Sequence, residues 1–233
     1  MRLAKQHLDI GMFTTSLDRH HAFWEQEVGL RFDMVLPVPV REGWVQHRFD
    51  AHSSVIKVND YGSPLPATPP TGYVGLSIAR NGGPIWEGTH PDGGLVRLVP
   101  KGTDGVVGIG ITVATPNPAR MMAFYIDAME FERVSDRVAR CGDTLLFVEH
   151  GVGGVESEDF IGPGPGYRYL TIQIFDADQD TDGILRRGGR LANAAKDYGT
   201  VARVSFVKDP DGNWIEVSAR ASLTGVVPGA NKA

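Results

Sequence analysis

Two kinds of side chain in this sequence could move a proton, and strand alternation sets them on shared faces. In Trp214-Ile215-Glu216-Val217-Ser218 the Glu216 carboxylate lies on the face of Trp214 and Ser218, because successive strand residues point to opposite sides. In Tyr169-Leu170-Thr171-Ile172-Gln173-Ile174 one face carries Tyr169, Thr171 and Gln173, and the apolar residues take the other. In His7-Leu8-Asp9-Ile10-Gly11-Met12, Asp9 shares a face with His7. A carboxylate against an indole wall can act as a general base, since an apolar wall disfavours its charged form. A tyrosine hydroxyl, from Tyr169 or Tyr73, can donate to a developing oxyanion. Such a set suits isomerisation, epimerisation or lysis next to a carbonyl. A glutamate near a strand end is also an ordinary solvated residue, so Glu216 alone does not decide. The aromatic residues Tyr73, Tyr169, Trp44, Trp86 and Trp214 could instead stack a flat or hydrophobic ligand.

Other chemistry-bearing signals carry less. Cys141 is the only cysteine and lacks a histidine neighbour or helix start, so it reads as a bystander rather than a nucleophile. Gly105-Val106-Val107-Gly108-Ile109-Gly110 faintly suggests a nucleotide loop but lies on the wrong side of its strand. Arg186-Arg187-Gly188-Gly189-Arg190 could touch a phosphate, and a basic helix end with a glycine stop explains it equally well.

The elements that must position these residues repeat. Asp209-Pro210-Asp211-Gly212-Asn213 is a turn feeding a short strand, and His90-Pro91-Asp92-Gly93-Gly94 is a second copy. A turn and strand used twice signals an internal repeat. The first unit opens with the apolar segment Leu8 to Phe13, then a helix with Ser16 as its N-cap and Leu17, Phe23, Trp24 and Val28 on one face, closed by Gly29. Strands over Arg31 to Val38, Trp44 to Phe49 and Ser54 to Val58 complete a β-α-β-β-β unit. The order returns at Val107: alternation through Ile109, Ile111 and Val113, a helix capped by Asn117 with Pro118 in its first position, then strands near Phe131 to Val138 and Thr144 to Glu149. The last unit reads as strand Tyr169 to Phe175, helix Ala177 to Arg187, and strands Arg190 to Ala194, Val201 to Val207 and Trp214 to Ser218. The second unit has strand Tyr73 to Ala79 and then only residues 81–89 before its turn. That is too short for a helix and two strands, so this unit has lost its helix. Two long loops, Ser63 to Gly72 and Gly151 to Gly166, join the first pair and the last pair of units. The second carries Glu156, Glu158 and Asp159 and reads either as a flap over a pocket or as a mobile surface connection. The tail from Ala221 to Ala233 looks frayed.

Bulk properties narrow the function. The chain has 233 residues, enough for one large domain or two small ones of about 100 residues each. A net charge of -5 argues against a nucleic-acid groove, which needs a surplus of Lys and Arg. No run of about 18 apolar residues is present, so no membrane span is expected. No signal peptide is read at the N-terminus, and a single cysteine allows no intrachain disulfide, so a reducing cytoplasm is the expected location.

Asn117-Pro118-Ala119-Arg120-Met121-Met122-Ala123-Phe124-Tyr125, followed downstream by Asp209-Pro210-Asp211-Gly212-Asn213-Trp214-Ile215-Glu216, resembles the vicinal oxygen chelate superfamily. That superfamily includes glyoxalase I, bleomycin-resistance proteins, methylmalonyl-CoA epimerase and extradiol dioxygenases. Ser16-Leu17-Asp18-Arg19-His20-His21-Ala22-Phe23-Trp24 is similar to the same helix-start motif. The resemblance implies an α+β fold of four βαβββ-type modules, the second truncated, forming two curled mixed-sheet cups. Read along the chain, residues 1–103 form one glyoxalase-like domain, 104–220 a second, and 221–233 a flexible tail.

The resemblance also implies metal-ligand positions on the first and last strands of the modules. Here these are Asp9 and Gly110, Tyr73 and Tyr169, and Arg97 and Glu216, of which only Glu216 is a residue usual for the family. A divalent ion needs about three protein ligands, and Arg97 is a permanent cation, so no resident metal is expected. Asp9 and Arg97 read as a structural ion pair. One escape is a swapped pairing of modules one and four, which would bring Asp9, Glu216 and His7 to a single ion. The remaining histidines read as surface or packing residues. The expected protein is thus an isomerase- or lyase-type enzyme with a degenerate metal site. Glu216, Tyr169 and Tyr73 would be catalytic, and Asp9, Arg97, Gln173, Trp214 and Trp44 would line the substrate. The alternatives are a protein that sequesters an antibiotic or aromatic metabolite and, more distantly, a ring-cleaving dioxygenase. The expected partner is a small molecule, not nucleic acid or membrane, and the expected state is a monomer or homodimer.

Overall fold

The computed structural model describes residues 1–38, 43–156 and 161–228. Glu158, Asp159 and residues 229–233 lie outside the described residues. Module one comprises β1 (Asp9–Thr14), α1 (Leu17–His21), β2 (Arg31–Pro37), β3 (Val45–Ala51) and β4 (Ser54–Asp60). Module two has three strands and no helix: β5 (Tyr73–Arg80), β6 (Trp86–Thr89) and β7 (Leu95–Pro100). Module three contains β8 (Ile109–Thr115), α2 (Pro118–Ala123), β9 (Glu132–Arg133), β10 (Val138–Cys141) and β11 (Thr144–His150). Module four contains β12 (Tyr167–Gln173), α3 (Ala177–Arg186), β13 (Arg190–Tyr198), β14 (Ala202–Lys208) and β15 (Trp214–Arg220). A single turn, α4 (Ala221–Thr224), opens the tail and is tied back by Ala221 N–H to the Val201 carbonyl.

The sheets are assembled across the two halves of the chain. One eight-stranded sheet runs β13-β14-β15-β12-β1-β4-β3-β2, joining modules four and one; a seven-stranded sheet runs β6-β7-β5-β8-β11-β10-β9, joining modules two and three. The seams are antiparallel: β1 against β12, with Asp9 opposite Thr171 and Gly11 opposite Tyr169, and β5 against β8. The swapped pairing is therefore the one that forms.

Local chemistry explains the elements. Asn117 caps α2 by accepting the Arg120 N–H at 3.1 Å, with Pro118 in the first turn, and Asp176 caps α3 through the Gln179 N–H. Ser16 stands at the corresponding position before α1, but its hydroxyl makes no cap bond; Thr14 Oγ1 accepts the Ser16 N–H instead. Both α1 and α2 run on into a widened π-helical turn that carries the buried aromatic pairs Phe23-Trp24 and Phe124-Tyr125. These rings pack with Leu8, Ile10, Met12, Ile56, Leu170 and Ile172 into one core beneath the sheets. Each such side chain contributes about 1.5–3 kcal/mol by leaving water. The single strand expected near Phe131 to Val138 is instead two, β9 and β10, separated by residues 134–137. Its hairpin partner β10 pairs with both β9 and β11.

The two Pro-Asp-Gly turns share a frame. Gly212 N–H bonds the Asp209 carbonyl and Asp209 N–H the Asn213 carbonyl; Gly93 and His90, and His90 and Gly94, repeat both bonds. In the later copy the Asp209 carboxylate also accepts the N–H groups of Asp211 and Asn213, each at 3.0 Å. Gly212 and Gly93 sit at φ 86° and 85°, a left-handed conformation that glycine adopts without strain. The long loops lock together: Thr68 and Thr71 hydroxyls donate to the Pro163 and Tyr167 carbonyls, and Arg168 Nη1 to the Pro69 carbonyl.

Candidate functional site

The concave face of the eight-stranded sheet encloses a cavity of about 310 Å³. Alternation sorts the residues beneath it. On β1, Ile10 and Met12 enter the core and Asp9, Gly11 and Phe13 face the cup. On β4, Ile56 and Val58 enter the core and Lys57 and Asn59 face the cup. From the other half come Tyr169 and Thr171 on β12, Glu216 and Arg220 on β15, and Val204 and Phe206 on β14. Its mouth and walls are apolar: Phe13, Trp44, Ile161, Val204 and Phe206, with Ile161 supplied by the second long loop. Trp44 meets Phe13 edge-on with ring centroids 5.5 Å apart, and Trp214 meets Phe206 at 5.7 Å, an arrangement that favours aromatic contact without stacking.

Its floor is polar and connected. Glu216 Oε2 accepts from Thr171 Oγ1 at 2.9 Å and from Lys57 Nζ at 3.1 Å, while Lys57 also donates to Thr171 Oγ1 at 2.6 Å. Lys57 is almost wholly buried; burial lowers the pKa of its ammonium, and the charges of Glu216 and Asp9 oppose that shift. The Tyr169 hydroxyl accepts from Asn59 Nδ2 at 3.1 Å and more weakly from Gln46 Nε2 at 3.4 Å. Asn59 is itself fixed, donating to the Met12 carbonyl at 2.8 Å and accepting from Gln46 at 3.0 Å. With both amides donating to it, the hydroxyl keeps its own hydrogen for another acceptor. Burial raises the Tyr169 pKa, and the Glu216 charge raises it further, so the phenol stays protonated.

Gly11 is required by this packing: a Cβ there would stand 2.1 Å from Tyr169 Cζ.

The expected site residues divide between the two sheets. Glu216 and Tyr169 meet on the floor, with Trp44 on the wall and Trp214 behind Phe206. Asp9 and Gln173 lie deeper on the same face, fully buried. Asp9 Oδ1 accepts Lys5 Nζ at 2.5 Å and the Val55 N–H at 2.8 Å. Tyr73 is not there. A register shift between Tyr73 and Gly75 on β5 turns its ring into the core, and its hydroxyl donates to the Trp214 carbonyl at 3.2 Å. Arg97 lies on β7 in the other sheet and pairs with Glu87 at 2.9 Å, so the expected Asp9–Arg97 ion pair does not form; Asp9 pairs with Lys5. Gly110 is crowded by Phe147, whose Cε2 lies 2.6 Å from where a Cβ would be.

Nor does the Asp9–Glu216–His7 set assemble: His7 Nδ1 is 2.6 Å from Asp143 Oδ1, and no three His, Cys, Asp or Glu side chains converge among the described residues. Each carboxylate instead has its own ammonium, Lys5 on Asp9 and Lys57 on Glu216. This donor set does not fit a divalent ion. His20 and His90 pack in the interior instead. Trp24 Nε1 donates to His20 Nδ1, which leaves His20 Nε2–H to donate to Asp92 Oδ2 at 2.7 Å.

Lys57, Thr171 as a relay, Asn59 and Gln46 are the site residues that sequence reasoning missed. The signal was present in Ser54-Val55-Ile56-Lys57-Val58-Asn59-Asp60, where alternation sets Lys57 and Asn59 on one face of a strand whose other face is apolar. Only the swapped pairing brings that face opposite Glu216.

The sequence model of the Glyoxalase/Bleomycin resistance protein/Dioxygenase superfamily matches residues 109–217. No sequence among curated proteins matches. Glyoxalase I from Zea mays superposes with a TM-score of 0.69 at 16% identity, covering 94% of this chain and 92% of that one. A candidate dioxygenase from Bacillus subtilis gives 0.68 at 14% identity, covering 94% and 86%. Residues 109–217 thus match the glyoxalase and dioxygenase superfamily, and the glyoxalase-like fold runs along nearly the whole chain. At these identities the solved structures are similar in fold alone. No described helix is long and apolar enough to cross a membrane.

Proposed function

We propose that the protein is an enzyme that moves a proton on a small organic molecule held in the cup of modules one and four, an isomerase- or lyase-type reaction next to a carbonyl. The observation that carries this reading is the state of the Glu216 carboxylate. One oxygen, Oε2, is held by Lys57 and Thr171, whereas Oε1 makes no hydrogen bond among the described residues, and the residue lines the cavity. A carboxylate anchored at one oxygen and free at the other can take a proton without reorganising. The Tyr169 hydroxyl, with its acceptor sites filled by amides, donates to the oxygen on which negative charge grows; Lys57 offsets that charge from the same floor. The abstracted proton rests on Glu216 Oε1 and returns from there to carbon. This chemistry needs no resident metal, since the Lys57 ammonium supplies a cation.

A second reading, binding without turnover, is favoured by the apolar walls of Phe13, Trp44, Val204 and Phe206, which suit plain sequestration. A ring-cleaving dioxygenase has no support in a cup without histidine among its described lining residues. The lone buried thiol of Cys141 suits a reducing cytoplasm, where we place the protein, acting on a small-molecule partner as a monomer or homodimer.

The test is carbon-bound hydrogen exchange. A panel of ketones and α-hydroxy carbonyl compounds is incubated with protein in D₂O and followed by proton NMR. Exchange that is lost in Glu216→Gln, with folding and ligand affinity retained, supports the proposal. Exchange at the wild-type rate in that variant overturns Glu216 as the base, and binding with no exchange across the panel overturns the enzyme in favour of a binder.

A further inference from the structure

Among the described residues the cup holds more positive charge than its acids neutralise. Two described carboxylates lie on its concave face, and each has its own ammonium: Lys5 on Asp9 at 2.5 Å and Lys57 on Glu216 at 3.1 Å. Two guanidinium groups remain. Arg48, on β3, lies opposite Lys57 across the β3–β4 pair. Arg220 comes from β15 in the other half of the sheet and lines the cavity beside Glu216. The two arginines are near enough for their charges to repel each other, and both bear on Lys57. Neither makes a hydrogen bond or ion pair among the described residues, and the Nε–H of each is buried without a partner. A buried donor left unmade is costly, more so when charged, and these two lie on the same face of one sheet, Arg220 at the cavity and Arg48 beside Lys57. Below them on the same face, the Ser218 hydroxyl is fully buried and also lacks a partner.

We infer that Arg48 and Arg220 form an anion-recognition pair, and that the ligand of this cup is an organic carboxylate with an apolar body. The planar fork of a guanidinium matches a carboxylate, and two of them from opposite walls can clamp it. Its apolar body would then lie against Phe13, Trp44 and Phe206. This rests on the reading of the cup as the ligand site; it adds the charge class of the ligand and two positioning residues.

The test uses the full chain and two matched probes, naphthoate and its neutral carboxamide, naphthamide, titrated by calorimetry. The expected result is naphthoate at least tenfold tighter than naphthamide in the wild type. Arg48→Met and Arg220→Met should each remove most of that preference while leaving naphthamide affinity within twofold. Equal affinity for the two probes in the wild type, or a preference unchanged in folded Met variants, overturns the anion pair and leaves the cup standing. If neither probe binds the wild type, the cup reading fails and the inference fails with it. If a Met variant does not fold, the wild-type comparison still decides, as does its salt dependence: naphthoate binding must weaken with ionic strength and naphthamide binding must not.

Discussion

Replacing Gly11 by alanine probes the seam that builds the site. Gly11 pairs with Tyr169 across the junction of β1 and β12, and the new methyl carbon would lie 2.1, 2.2 and 2.7 Å from three atoms of the tyrosine ring. Non-bonded carbons settle at about 3.5–4.0 Å, so the ring must retreat by roughly 1.5 Å. It is hemmed by Phe13 and packed against the sheet, so it can retreat only toward the cavity it lines, away from its amide partners. Overpacking of this kind costs about 1–3 kcal/mol. The displaced hydroxyl also leaves Asn59 Nδ2, now at 3.1 Å, for about 1 kcal/mol more. We expect Gly11→Ala to lose about 2–4 kcal/mol in urea denaturation and to weaken any ligand that reaches the tyrosine hydroxyl. A double-mutant cycle makes the reasoning sharp. Tyr169→Leu removes the clashing ring, so Gly11→Ala should cost far less in that background, giving a coupling of about 1–3 kcal/mol. Additivity within about 0.5 kcal/mol would mean that residue 11 and residue 169 are not neighbours, and the pairing of modules one and four would be wrong.

Three further outcomes follow from buried titratable groups. Burial raises the Asp209 pKa from 3.8 to about 6 despite the hydrogen bonds it accepts in its turn, so its contribution to stability is full below pH 3.8 and is lost as pH rises through about 6. Asp209→Asn should flatten that loss in denaturation curves taken across this window, whereas Asp209→Ala should cost about 2–4 kcal/mol at any pH by stranding the N–H groups of Asp211 and Asn213. His90 has the opposite sign. Burial lowers its pKa from 6.5 to about 3, so its contribution is full above 6.5 and is lost as pH falls toward 3. Since neither ring nitrogen has a partner, His90→Phe should match the wild type at neutral pH and exceed it at pH 5; a variant that is equally acid-sensitive would show that His90 does not set the acid limb. The buried Cys141 thiol, pushed up to about 12, should react with a disulfide reagent only at the rate of unfolding; fast labelling of native protein would contradict its burial.

Much of the architecture was legible along the chain because it depends on local physics. The Asp209 and His90 turns follow from proline and glycine conformation, and the hydrogen-bonded frames they share confirm that they are copies. Asn117 followed by Pro118 started a helix for a reason contained in four residues. Strand alternation set Glu216, Tyr169 and Asp9 each on the polar side of its own strand, and the pairing of β1 with β12 made those sides one face. It failed at Tyr73, where a one-residue irregularity in β5 reverses which side the ring takes, and no periodicity reports such a shift in advance. It also failed at Arg97, which was set against Asp9 on the premise that consecutive modules share a sheet.

What tertiary structure alone decided is which faces meet. Lys57 and Glu216 belong to opposite ends of the chain and have no local reason to be matched; they are brought together because β1 pairs with β12 and β4 follows β1 in the same sheet. Local sequence fixes the direction of a side chain relative to its own strand, through steric limits within a few residues. The partner across a cup is chosen by long-range strand pairing, whose free energy is spread over the whole seam and written in no single segment.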